Sequence, residues 1–343
     1  RRLILSWKPE KIAAVRAVLD EKMELWSLQK EMESYWDLML KSQSLSKSEA
    51  KQMLMHPLLK EDKESELLQA AVFADQIRYQ LKIMSGDGHN APIVLKTSLK
   101  KMEEYKHRIK ESPGAYINAL NNLLSYYVYN KDYDEVSSLL NKVKQVGDTF
   151  GIQKKDKLFL KLQLRSYNIE LEMYRDTKDL KKATALILEL EGFMEFSRKN
   201  VPDSYTLLFW FQFANVFFMK EDFSGALKLV NSILEARFRN LRKDLDLYSR
   251  WLNLFIHLEM KNYMVLRYYI DSVRRFAKKI KAVDDQERYL LKAMIDLSQI
   301  EEKEHRNIYQ QLHKDLFNET TVQSNQNVIS YLDVRYWLEK KML

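Results

Sequence analysis

Four short segments repeat one pattern at steps of 47, 43 and 40 residues: Lys131-Asp132-Tyr133, Lys178-Asp179-Leu180, Glu221-Asp222-Phe223 and Lys261-Asn262-Tyr263. Each reads as a turn entering a helix, because an Asp or Asn side-chain oxygen accepts from an unpaired N–H of the first helical turn. The residue that follows is apolar and anchors the turn. Nine residues before that anchor stand Leu124, Leu171, Ala214 and Leu254. Three, seven and ten residues after it, every copy is apolar, from Val136, Leu140 and Val143 in the first to Leu266, Ile270 and Val273 in the fourth. That spacing places the side chains on one face of a helix. A single helix pair cannot bury such a face alone, so copies must stack. The pattern predicts an all-α chain, a solenoid of stacked antiparallel helix pairs.

Glycine and proline usage agrees: seven Gly and five Pro in 343 residues are too few for a loop-rich β fold. Residues 1–110 read as an N-terminal helical region, 111–281 as the four helix-pair units and 282–343 as a C-terminal helical cap. Within the first region a helical pattern runs from Pro9 to about Leu40, and residues 41–65 read as a connection. A helix follows to about Met84, and Ser85-Gly86-Asp87-Gly88-His89-Asn90 reads as a helix–helix connector. Pro92 and Pro113 suit the first turns of two further helices, the second capped by Ser112. The cap reads as a helical pair near 285–300 and 303–317, a polar break from Asn318 to Asn327, and a last helix around Tyr336, Trp337 and Leu338. The opening Arg1-Arg2-Leu3 reads as the cut end of a longer chain and not as a signal peptide.

The third unit, Trp210-x2-Phe213-Ala214-x2-Phe217-x5-Phe223-x2-Ala226-x3-Val230-x2-Ile233, resembles the tetratricopeptide repeat position by position. The other units match more loosely through Leu120, Tyr127 and Tyr133, through Tyr167, Tyr174 and Ala183, and through Leu254 and Tyr263. The period exceeds the usual 34 residues, and Leu124 with Val136 is bulkier than the small pair of that family. About residues 100–300 are also similar to a group of tetratricopeptide-like proteins common in Bacteroidota. The resemblance implies a right-handed superhelix of such pairs in a bacterial cytoplasm and brings no activity with it.

Chemistry leaves little trace in the sequence. Cysteine is absent, which excludes disulfides, thiolate metal sites and Cys nucleophiles. Neither common phosphate-cradling glycine motif occurs, and the six His are scattered. His257 stands where the other units carry Tyr127, Tyr174 and Phe217, and reads as a hydrogen-bonded His packed between helices. The longest apolar stretch, Leu207 to Met219, is shorter than a bilayer requires and is interrupted by Gln212 and Asn215. The expectation is a non-catalytic chain without cofactor, metal or membrane span.

Two features point toward binding. Residues 237–281 hold 12 Lys or Arg against 4 Asp or Glu, an excess equal to the net charge of +8 of the whole chain. Arg237, Arg239, Arg242, Arg274, Arg275 and Lys278 are therefore candidates for a basic patch facing an acidic partner, or else simply cations placed near helix ends. No nucleic-acid motif accompanies them. The second feature is the first helix of each pair, the A helix, whose positions twelve and eight before the anchor line the concave side of a tetratricopeptide-like stack. Here they are Asn121 and Ser125, Asn168 and Glu172, Phe211 and Asn215, Trp251 and Phe255. The candidate peptide site is Asn121, Arg165, Asn168 and Asn215 on a peptide backbone, with Phe211, Trp251 and Phe255 as an apolar pocket. The competing reading places those aromatics in the core. As a function, the sequence suggests a scaffold that binds a peptide or protein in its groove. The alternative is the sensor part of a transcriptional regulator whose DNA-binding segment lies elsewhere.

Overall fold

The computed structural model describes residues 45–60, 68–105, 113–151, 157–280, 285–317 and 328–342, with Ile109 and a few isolated positions before residue 35. The helix expected over residues 9–40, the cap Ser112 and the break at 318–327 lie outside the described residues or almost entirely so. The described residues are helical and contain no strand. The chain divides into two compact units, Arg1–Ser166 and Tyr167–Leu343.

The first unit contains α1 (Lys47–Met53), α2 (Leu68–Ser85), α3 (Ala91–Glu104), α4 (Pro113–Tyr129) and α5 (Tyr133–Phe150). Each helix packs on the one before it. Helix α1 corrects the reading of residues 41–65 as a mere connection. Ser46 and Glu49 close a reciprocal capping box at its start, and Ala50 is fully buried against Ala70, Ala74, Ile77 and Leu81. The glycine loop does join α2 to α3, and Gly86 takes a φ of +86°, which only glycine adopts freely. Helix α6 (Lys157–Asp176) carries the boundary between the units.

The second unit continues with α7 (Leu180–Phe196), α8 (Asp203–Met219), α9 (Phe223–Glu235), α10 (Lys243–Glu259), α11 (Tyr263–Ile280), α12 (Asp285–Gln299), α13 (His305–Phe317), α14 (Val328–Tyr331) and α15 (Val334–Met342). From α8 to α13 consecutive helices pack pairwise; α14 packs on α10, and α15 on α13. Helix α8 is apolar on nearly every side, as a central helix must be, with Leu207, Phe209, Phe211, Phe213, Ala214, Val216 and Phe218 all buried.

The four signatures share one backbone turn, and the Asn262 side chain differs from the three Asp by lying against His257. The anchors Tyr133, Leu180, Phe223 and Tyr263 are each the first residue of a helix and half-buried, less than the large burial expected of them. The apolar positions nine before and three, seven and ten after the anchor are buried in every copy, none more than 3% exposed. Asp132, Asp179, Asp222 and Asn262 each donate their backbone N–H, at 2.9 Å, to the carbonyl five residues back: Tyr127, Tyr174, Phe217 and His257. The three Asp side chains also accept from Glu135, Lys182 and Gly225 backbone N–H groups, capping α5, α7 and α9.

Closing the preceding helix this way forces the residue before the cap into the left-handed region. Lys131, Lys178, Glu221 and Lys261 have φ of 56°, 61°, 65° and 57°, where glycine is the usual choice. An L-residue there costs about 1 kcal/mol. Lys131→Gly is expected to raise stability by up to about 0.5 kcal/mol, the strain relief less the extra chain entropy of glycine, about 0.5–1 kcal/mol. A lower thermal midpoint would show that the lysine contacts outweigh the strain.

Candidate functional site

In the first unit the predicted groove residues do come together. Ser125 Oγ donates to the Asn121 carbonyl at 2.7 Å, and Arg165 on α6 donates to Ser125 Oγ. Tyr79 on α2 donates to the Asn122 carbonyl at 3.3 Å. Burial pushes the Tyr79 phenol above its ordinary pKa, with Tyr126 reinforcing the shift and Arg165 opposing it. Asn121 Oδ1 is buried with no hydrogen-bond partner among the described residues. The cluster is half-buried, and Arg165 is already engaged by a neighbouring helix.

In the second unit the amides are used internally. Asn168 Oδ1 accepts from Gln212 Nε2 at 3.0 Å, while Gln212 Oε1 accepts from the buried Arg175 at 2.9 Å. Asn215, 3% exposed, donates back to the Phe211 carbonyl one turn earlier at 2.8 Å. These side chains hold α6 to α8 and satisfy a helix interior. This corrects the expectation that Asn215 offers a free amide to a peptide, and leaves the half-buried Asn168 with its carbonyl oxygen already engaged.

Phe211, Trp251 and Phe255 likewise do not line an open pocket. All three are at most 1% exposed and belong to the core of the second unit. The cover over this face comes from the end of the chain, which periodicity along a helix could not reveal. Tyr331 stacks on Tyr248 at 4.5 Å, and Trp337 meets Phe255 edge-on at 4.7 Å and Tyr309 at 5.4 Å. Trp337 Nε1 donates to Glu259 at 2.7 Å, and Lys341 pairs with the other oxygen of that carboxylate at 2.6 Å.

Two of the strained turn residues take part in this contact. Lys178 pairs with Asp333 and lies over the Tyr336 ring, and Glu221 pairs with Lys340. Trp337, Lys340 and Lys341 share one face of α15, and Asp333 stands just before the helix in a left-handed turn with φ of 48°. At the end of α14, burial pushes the Tyr331 phenol above its ordinary pKa; Glu172 and Asp244 add to the shift, while Arg242 and Arg175 oppose it. None of the residues from Tyr331 to Met342 was among the sequence-derived site residues. Their only visible signals were an aromatic pair and a basic end following an acidic cap, Asp333.

The basic stretch divides in two. Arg242 forms a two-pronged pair with Asp244, Nε to Oδ1 at 2.9 Å and Nη2 to Oδ2 at 2.6 Å. Arg239 lies 3.8 Å from the buried Asp246 and donates to the Leu234 carbonyl. These two are structural, which corrects their place in an open patch. Arg237, Arg274, Arg275 and Lys278 are exposed, and Arg274 approaches Asp271 only to 3.9 Å.

His257 is packed as expected, 8% exposed and stacked on Tyr269 at 4.7 Å, with Nδ1 lying 3.3 Å from the Asn262 amide nitrogen. Burial holds its pKa below the ordinary value. The unfolded chain therefore takes up a proton near pH 6.5 that the native imidazole resists. Stability is full above that pH and falls as pH drops below it, until the native group also titrates. His257→Phe, which restores the aromatic of the other units, is expected to lack the part of the stability loss that falls between pH 7 and 5. Superimposable pH profiles for the two proteins would contradict this.

Among the described residues no three His, Asp or Glu come together to hold a metal ion, and no helix is long and apolar enough to cross a membrane. No protein-family model, curated protein or solved structure matches this chain.

Proposed function

We propose that the chain is a non-catalytic protein–protein interaction module built from stacked tetratricopeptide-like helix pairs, working in a bacterial cytoplasm, whose A helices bind a peptide or protein segment of a partner. One observation carries this reading: the A helix α10 already receives a short helical segment through Tyr248, Phe255 and Glu259. That is the helix-in-groove mode, in which aromatic anchors supply affinity and flanking charges set the register. The half-buried cluster of Asn121, Ser125 and Arg165 supplies polar contacts of the same kind in the first unit. The exposed Arg274, Arg275 and Lys278 on α11 suit an acidic stretch of the same partner, and that contribution should weaken with salt over a screening length of about 8–10 Å.

The test is selection of displayed 16-residue peptides on the 343-residue chain, followed by photo-crosslinking to locate the winners. Enriched peptides should crosslink to A helices α4, α6, α8 or α10. Failure to enrich any peptide, or crosslinks confined to α5, α7, α9 and α11, would remove the proposal.

A further inference from the structure

We propose that the C-terminal segment Val328–Met342 is a tethered, exchangeable occupant of the peptide-binding face of the second unit. The external partner is then a helix of the same chemistry: an aromatic anchor, an acidic residue one turn before it and two basic residues one turn after it. This rests on the reading that the A helices bind peptides, and adds to it what the bound segment looks like and what must leave first.

Length is the first argument. Helices of four and nine residues lie below the length at which a helix persists alone in water, so α14 and α15 are helical because they are docked. Docking buries Val328, Val334 and Leu338 completely and Trp337 to 6%. The polar contacts run outward from that apolar seam to the turns that end three A helices. Asp333 meets Lys178 at the end of α6, Lys340 meets Glu221 at the end of α8, and Trp337 and Lys341 share Glu259 at the end of α10.

The position of those turn residues is the second argument. Glycine would relieve the left-handed strain at 178 and 221, yet both positions carry charged side chains that reach the segment. The turns thus present a fixed row of charges, positive at Lys178 and negative at Glu221 and Glu259, and the segment presents the complement. A partner helix that repeats Asp333, Trp337, Lys340 and Lys341 in the same register can replace it without leaving a buried charge unpaired. The tether makes the replacement selective, since a linked segment acts at an effective concentration of millimolar order and a free peptide must outcompete it.

The experiment uses the full chain with a specific protease site inserted between Phe317 and Val328, and a fluorescein-labelled synthetic peptide of residues 328–343 as probe. Before cleavage the probe should bind weakly; after cleavage and dilution it should bind about 100-fold tighter or more, with the helical signal of the remainder restored by the probe. In the uncut chain, Lys340→Glu with Lys341→Glu should tighten probe binding about threefold to tenfold or more by breaking one exposed and one part-buried ion pair. Equal binding before and after cleavage would overturn the proposal. So would a cleaved chain that keeps its own segment against excess probe, or one that stays unfolded with probe present, since the segment would then be an integral cap. Displayed peptides that bind cut and uncut chain equally would sink this inference and leave the peptide-binding reading standing. Absence of any binding, by probe or displayed peptide, would remove both.

Discussion

Trp251→Ala is expected to destabilise the second unit by about 3–5 kcal/mol, the range for truncating a large aromatic in a packed core. Trp251 is fully buried in the core cluster shared by α8 to α13 and the C-terminal helices, and alanine leaves a void that these helices cannot close without shifting. Its indole Nε1–H has no partner among the described residues, so an unmet desolvation cost already weighs against the native residue. Trp251→Phe keeps most of the volume and removes that donor, and should cost about 1–2 kcal/mol. Thermal or denaturant unfolding reads both. A loss below about 1 kcal/mol for the alanine variant would mean the site collapses freely and is not core.

The second large effect is expected at Asp246, a carboxylate only 1% exposed at the start of α10. It accepts from Arg250 Nε at 2.8 Å and faces Arg239 at 3.8 Å. Arg250 in turn donates to Ser272 Oγ on α11 at 2.7 Å and lies over the Phe276 ring at 4.5 Å. The carboxylate therefore pins the turn before α10, α10 itself and α11 together. Asp246→Ala strands a partly buried guanidinium and should cost about 2–4 kcal/mol, the low side of a broken buried pair because Arg239 and Arg250 reach water. Asp246→Asn, which keeps an acceptor, should cost clearly less. Equal losses from the two variants in denaturant unfolding would show that charge, not hydrogen bonding, dominates.

The helix pairs were legible because their determinants are local. The cap at Asp132, Asp179 and Asp222 and the apolar stripe after each anchor lie within eleven residues of each other, and period alone assigns their faces. The strained residue before the cap was equally visible as a position, though not its conformation. What covers a face is not local. The Lys178–Asp333 pair spans 155 residues and the Trp337–Glu259 bond 78, so the stripe containing Trp251 and Phe255 looked the same whether open or filled. Helix α1 was missed for a different reason. Its serine-rich surroundings suggested a connection, while Ser46-x-x-Glu49 already held the capping box that starts it. The amides at 168 and 215 hold other groups of the chain: Asn168 accepts from Gln212 on α8, and Asn215 donates to the Phe211 carbonyl of its own helix.

The central claim is that the A-helix face of the second unit binds peptides and that the chain's own end fills it. Hydrogen exchange of the intact protein, with and without excess synthetic peptide of residues 328–343, tests it most directly. The account predicts that amides of residues 334–342 lose protection as the peptide takes their place, while α8 and α10 keep theirs. Unchanged protection of residues 334–342 at a peptide concentration that saturates binding, with new protection elsewhere, would contradict it.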